Sequence, residues 1–411
     1  MELSVIILAG GRSSRFWPLE EKNLLNFFGV PLIVYQLRRY THFFKQKGIK
    51  PKFIVITNND NHQLVRNALV STEGLSFKLI IQSLANQYGA VLAGLKEVSL
   101  QNPVLVLNSN GIFTEKLIDQ MIRRMGMDKI VFCGTPVKEY FPGGYLVVNN
   151  QSQQVTKIWE YPPEVEVPAN LSIYKHVFDY FPQPNALLQA MLKTQQNLSY
   201  EDSINNLLAT TAAEYTLNNE QFVSLKYPWH VLDAVQLFFN NIKESTIKTS
   251  DIDSTAQILG PVYIEDGVKI GSFSKIIGPT YIGKNTTIAD YTLVRESHIG
   301  EECVIGGFSE VARSYLDNNV KLHRNYVGDS ILASGVRLGA NTVTANRRFD
   351  QENISSPIKH KKTSTHKRKL GAIIGSHTST GVAVSFMPGV KIGKKVVVMA
   401  NTTVTKDVRN D

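Results

Sequence analysis

Cysteine is nearly absent: Cys133 and Cys303 are the only two in 411 residues. They stand 170 positions apart in what read as different domains, which excludes a disulfide framework and a cysteine metal site. Each reads as a small buried hydrophobe. Long apolar runs are missing too. Nothing approaches the roughly 18 uninterrupted apolar residues of a membrane helix, and Met1-Glu2-Leu3-Ser4 lacks the basic character of a secretory leader. The expectation is a cytoplasmic protein without membrane contact. The glycine-rich stretch Gly10-Gly11-Arg12-Ser13-Ser14 lacks the third glycine of a dinucleotide fingerprint and the Gly-Lys-Ser/Thr of a P-loop. Hydride transfer and ordinary NTPase chemistry are thereby set aside. The formal charge is +9, but six positive charges sit between Lys359 and Lys369. Basicity this local gives no footprint for nucleic acid.

What is present is a globular composition, 43% apolar and 19% charged, in a chain too long for one ordinary core. Short apolar runs at Ser4 to Leu8, Lys52 to Thr57, Lys78 to Gln82, Val104 to Leu107 and Ile130 to Cys133 read as buried strands. The amphipathic stretches Pro31 to Phe44 and Thr114 to Met125 lie between them. Alternating strands and helices predict an α/β domain over residues 1–240, Rossmann-like, with a mainly parallel sheet. Ligands of such sheets bind at the carboxyl ends of the strands, where Gly10, Gly11 and Asn108 to Gly111 fall. Consecutive glycines there let backbone N–H groups approach a phosphate, and Arg15 adds a fork of donors.

After a linker at 241–257 the period becomes six. Ile258, Ile264, Ile270, Ile276, Ile282, Ile288 and Val294 keep it without error. The phase slips by one, resumes at Ile299, Ile305 and Val311, and returns at Ile374, Phe386, Ile392, Val398 and Val404. Hexads of small aliphatic residues predict a three-sided parallel β-helix over 258–411. Residues 350–369 break the period and are expected to form a basic loop projecting from one corner.

The run Leu8-Ala9-Gly10-Gly11-Arg12-Ser13-Ser14-Arg15-Phe16-Trp17-Pro18-Leu19, continued through Lys22 to Pro31-Leu32, resembles the signature of sugar-1-phosphate nucleotidylyltransferases. The resemblance implies that Gly10, Gly11 and Arg15 bind a triphosphate. Lys22 would neutralise charge as a sugar phosphate attacks the α-phosphorus in line and expels pyrophosphate. By the same resemblance Gln82 reads a pyrimidine edge, Gly144 and Glu160 hold the sugar, and Tyr227 to Ala234 closes the site. The metal position departs from the family. Its strand-end Gly-Asp is Ser109-Asn110 here, and the Asp of its Tyr-Pro-Trp-Asp segment is His230. A neutral amide and an imidazole make a poor Mg²⁺ site. The candidates are Asn110, His230 and the spare carboxylate Asp233, with Mg²⁺ or a softer Mn²⁺ or Co²⁺.

In the solenoid, His323-Arg324-Asn325-Tyr326-Val327-Gly328-Asp329-Ser330 is followed by Thr344-Ala345-Asn346-Arg347. This spacing resembles the acetyltransferase half of bifunctional glucosamine-1-phosphate N-acetyltransferase/uridylyltransferases, in particular the archaeal type. The resemblance makes His323 the base that deprotonates a sugar amine attacking acetyl-CoA, with Tyr326 and Asn346 positioning the sugar phosphate and amine. A neutral-range imidazole suits that task. Arg295 and Arg313 are the candidates for the sugar phosphate, and Lys369, Gly371 and Gly381 follow the acetyl-CoA pattern. The resemblance also implies a left-handed helix and a homotrimer. The expected function is acetylation of glucosamine or galactosamine 1-phosphate, followed by joining to UTP or dTTP. Two alternatives stay open: an acetyltransferase with a degenerate nucleotide-sugar-binding head, and a non-catalytic trimeric scaffold or regulator.

Overall fold

A computed structural model describes residues 2–72, 74–126, 128–137, 143–149, 151–163, 173–194, 198–249, 251–359 and 361–410. By contacts the chain divides into two units, Met1–Arg12 with Ile33–Ser224, and Ser13–Leu32 with Leu225–Asp411. This division runs elsewhere than a boundary at residue 240. The signature loop after Arg12 and the helix His230–Phe239 group with the solenoid.

The first unit is built on a nine-stranded sheet. Its strands are β1 (Glu2–Leu8), β2 (Lys50–Thr57), β3 (Phe77–Ile81), β4 (Val104–Asn108), β5 (Ile130–Pro136), β6 (Gly144–Asn149), β7 (Gln154–Glu160), β8 (Ile173–Phe181) and β9 (Ala213–Leu217). The order β7-β6-β8-β4-β1-β2-β3 puts β1 at the centre of a parallel block, with Leu8 level with Ile56 and Asn108. Burial on both faces makes β1 an unbroken apolar run. Beyond β4 the sheet turns antiparallel, because β8 runs against β4, β5 and β6. The sheet is therefore mixed, and its parallel part is the half that carries the glycines. Helices α1 (Leu32–Gln46), α2 (His62–Val70), α3 (Gln87–Leu95) and α4 (Glu115–Arg124) follow the strands, as the alternation predicts. Thr114 caps α4 and Asn86 caps α3 through their side chains.

The second unit is a parallel β-helix of three sheets, with eight, eight and seven strands. One aliphatic residue per strand points inward, so that Ile258, Ile276, Val294, Val311 and Val327 stack in register. The ladder continues into a single core reaching Val404. The phase slip has a local cause. From Val294 onward one corner is a residue shorter and turns through Glu296, Arg313 and Asp329, all at positive φ near 50°. Two expectations change. Thr246–Ile247 already pairs with Val262–Ile264, so the solenoid begins inside the expected linker. The interruption is not an open loop either: Ile354–Ile358 and Lys361–Lys367 form an antiparallel hairpin with Ser356 and Thr365 buried. Among the described residues no helix is long and apolar enough to cross a membrane.

Candidate active sites

The carboxyl ends of β1, β2, β3 and β4 bring Gly10, Gln82 and Asn110 to one edge. A side chain at Gly10 would place its Cβ 2.2 Å from Gln82 Oε1, so only glycine leaves that amide in place. Two residues overlooked in the sequence hold the turn. Asn58 Nδ2 donates to Gly10 O at 2.9 Å, and Asn61 Nδ2 donates to Ala9 O at 2.8 Å. The two asparagines also exchange backbone bonds with each other's side chains. The cluster Asn58-Asn59-Asp60-Asn61 directly after a buried strand was the available signal. Gly144 and Glu160 are cross-strand partners on β6 and β7, and a Cβ at Gly144 would meet Glu160 Oε2 at 2.6 Å. Gly89, in the first turn of α3, packs closely on Leu84, where an added Cβ would stand 2.4 Å from the Leu84 Cβ.

Arg15 and Lys22 lie on the signature loop of the second unit. Arg15 is exposed, with its guanidinium 5.9 Å from the Tyr227 ring centre. Lys22 opens a short 3₁₀ turn whose start is fixed by Glu21 accepting from Asn23 N–H. Burial pushes its ammonium below its ordinary pKa, Glu21 opposes this, and the Arg15 charge adds to it.

The proposed metal ligands do not suit a cation. His230 Nδ1 accepts from the Lys226 backbone N–H at 3.3 Å, which leaves Nε2 carrying the proton in the neutral ring. Asp233 forms an ion pair with Lys367 of the hairpin. Asn110 is a buried neutral amide at the end of β4. Among the described residues no three His, Cys, Asp or Glu side chains gather as a metal would require.

On the solenoid, the short corner stacks the predicted acyl-transfer residues coil upon coil. Arg313 Nε and Nη2 each reach one oxygen of Asp329 at 2.7 Å, a two-pronged pair that holds the carboxylate flat. Asn346 Nδ2 donates to Asp329 Oδ2 at 2.5 Å and to Tyr326 OH at 3.2 Å. With both N–H groups engaged, Asn346 Oδ1 is left as the acceptor of that side chain. Gly328 leaves room for this, since a Cβ there would stand 2.5 Å from Tyr326 OH. His323 stands outside this network, exposed on the neighbouring corner. Its corner is fixed by buried Asn325, which accepts from the His323 N–H at 2.5 Å and donates to Gly339 O and Thr342 O. Arg295 is engaged by Glu310 at 2.7 Å. Gly371 and Gly381 are accounted for by coil packing, with added Cβ atoms 2.1 Å from Ser330 Oγ and 2.6 Å from Ala400 N. Lys369 is exposed.

Residues 4–230 match the model of the nucleotidyl transferase family. The chain belongs to that family. Residues 261–296 match the bacterial transferase hexapeptide repeat, so the nucleotidyl transferase head is followed by a left-handed hexapeptide β-helix. The chain is 27% identical to a "Bifunctional protein GlmU" of Methanococcus vannielii, over all of this chain and 96% of the relative. It is 29% identical to a "Bifunctional sugar-1-phosphate nucleotidylyltransferase/acetyltransferase" of Sulfurisphaera tokodaii, over 99% of this chain and 98% of the relative. A "Bifunctional protein GlmU" of Methanocaldococcus jannaschii is 26% identical over the whole chain.

Proposed function

We propose that the chain makes a UDP-N-acetylhexosamine in two steps, with acetyl-CoA and UTP as co-substrates. The observation that carries this is a nucleotidyl signature loop and a Tyr326–Asn346–Asp329–Arg313 cluster on one chain, which is similar over its whole length to relatives named as bifunctional.

In the first step the amine of glucosamine 1-phosphate attacks the acetyl thioester and coenzyme A leaves. Asn346 Oδ1 accepts from the amine, Tyr326 contacts the sugar phosphate, and His323 takes the proton released as the amide forms. The Arg313–Asp329 pair positions Asn346. In the second step a phosphate oxygen of the acetylated sugar attacks the α-phosphorus of UTP. The bond from that phosphorus to the bridging oxygen breaks, and pyrophosphate leaves. Arg15 and Lys22 meet the charge on the transferring and leaving groups, Gln82 reads the uracil edge, and Gly144 and Glu160 seat the sugar. Such transferases generally use a divalent ion, for which Asn110, His230 and Asp233 are a poor donor set. The hexapeptide helix favours a trimer, and a need for acetyl-CoA and UTP supports a cytoplasmic reaction.

Pyrophosphate release from UTP or dTTP and N-acetylglucosamine or N-acetylgalactosamine 1-phosphate tests the second step, with Mg²⁺, Mn²⁺ and Co²⁺ in parallel. Thiol release from acetyl-CoA with each hexosamine 1-phosphate tests the first. Arg15→Ala is expected to abolish only pyrophosphate release, and His323→Ala only thiol release. The ion pair at Asp233 favours one rival, an acetyltransferase whose head binds nucleotide sugar without turnover. Thiol release with no pyrophosphate in any metal would establish that reading instead.

A further inference from the structure

A cavity of about 480 Å³ within the second unit is lined by Ser14, Arg15 and Trp17 of the signature loop, and by Lys359, Lys391 and Arg409 from the hairpin and the last coil. Lys391 is fully committed. Its buried ammonium donates to Ser356 Oγ at 2.6 Å and Pro357 O at 2.8 Å, and pairs with Asp407 Oδ2 at 2.7 Å. It therefore fixes the hairpin to the end of the solenoid and neutralises Asp407. The other cations facing the cavity are Arg15, Lys359 and Arg409, and no carboxylate lines it among the described residues. The Arg409 guanidinium lies 4.5 Å from the Trp17 ring centre, which orients it without removing its charge. Three like charges around one cavity repel until an anion enters.

We propose that Lys359 and Arg409 of the hexapeptide domain join Arg15 in one polyphosphate pocket, completing the site for the triphosphate of UTP and for departing pyrophosphate. This rests on the nucleotidyl-transfer reading above and adds to it that the last coil and the hairpin belong to the uridylyl site. It also answers the poor metal set: guanidinium and ammonium groups carry part of the charge that a cation would otherwise meet.

The test is calorimetric titration of the full-length protein with inorganic pyrophosphate, together with KM for UTP and for acetyl-CoA. Arg409→Gln and Lys359→Gln are each expected to weaken pyrophosphate binding and raise KM for UTP by about fivefold to tenfold. Arg409→Lys recovers part of the loss. Lys395→Gln, an exposed change that does not line the cavity, leaves all three values as they were. Wild-type pyrophosphate binding in both glutamine variants, with binding lost in Arg15→Ala, overturns the proposal while nucleotidyl transfer stands. Retained binding in Arg15→Ala as well removes the reading beneath it. A loss confined to acetyl-CoA also overturns the proposal, since the pocket then serves the phosphates of coenzyme A.

Discussion

His298 is a histidine that the fold keeps neutral. Its ring is stacked between Tyr281 and Tyr315, at 4.8 Å and 5.0 Å, and Nε2 accepts the Phe28 N–H at 3.1 Å. With Nε2 accepting, the neutral ring carries its proton on Nδ1, buried and without a partner among the described residues, and a second proton would have to go onto Nε2 against the Phe28 N–H. Burial pushes the imidazole pKa down to about 3. An unfolded histidine titrates near 6.5, so below that pH the unfolded chain takes up a proton that the folded one refuses. Stability from this group is complete above about 6.5 and drains as the pH falls toward 3. Between pH 7 and 4 the loss should be roughly 3 kcal/mol. Denaturant unfolding at both pH values checks it, and His298→Phe with the same pH slope as wild type would sink the assignment. Burial likewise holds the Lys22 ammonium below its ordinary pKa, and the negative charge of a bound triphosphate favours its charged form, so UTP binding should weaken as the solution becomes alkaline. Titrations at rising pH should show this in wild type and much less in Lys22→Arg, because arginine stays charged throughout. At the other site, Asp329→Asn breaks the clasp on Asn346. Thiol release should fall by about tenfold or more while pyrophosphate release stays unchanged. Equal loss of both activities would mean that Asp329 only supports the fold.

At the scale of elements, the hexads were legible because a narrow three-sided core admits one small aliphatic side chain per strand, and nothing else gives period six. The strands of the first unit were legible for a similar reason, their burial on both faces. The hairpin at 354–367 was not. Its cations read as a solvated charge run, yet alternate residues turn inward: Ser356 and Thr365 are buried, and Thr365 Oγ1 donates to Ile354 O at 2.7 Å. Small polar residues leave no hydrophobic trace in a sequence, and Lys391, which ties the hairpin down, sits at an outward-looking hexad position. Its replacement separates fold from surface charge. Lys391→Met leaves Asp407 without its partner and frees the base of the hairpin, costing on the order of 3 kcal/mol. Faster proteolytic cleavage within 354–367, with the solenoid core still protected, is the expected pattern. An uncleaved hairpin would show that the strand pairing holds it alone.

For the whole molecule, the candidate site was half legible. Arg15, Lys22, Tyr326 and Asn346 stand in short local patterns, so a linear reading finds them. What holds the signature loop does not: Glu20 pairs with Lys394 at 2.6 Å, and Asn26 bonds Asp317 at 3.0 Å, across hundreds of positions. Phe27 and Phe28 pack on Phe238, Tyr281, His298 and Tyr315, with Phe27 fully buried. The loop expected to serve the first domain is thus held by the second. Burying a Phe is worth about 1.5–3 kcal/mol, and a fragment ending at residue 240 keeps Phe238 and Phe239 but loses the share of that burial that Tyr281, His298 and Tyr315 supply. Arg15 and Lys22 then lose their fixed positions, and misplacement by about 1 Å costs on the order of a hundredfold in rate. Residues 1–240 alone should therefore release pyrophosphate at least about a hundredfold more slowly than the full chain. Its signature loop should be cut early by protease between residues 13 and 32. A fragment with full-length turnover would show that the loop orders itself on the sheet, and that the contacts to the solenoid serve only to join the two activities.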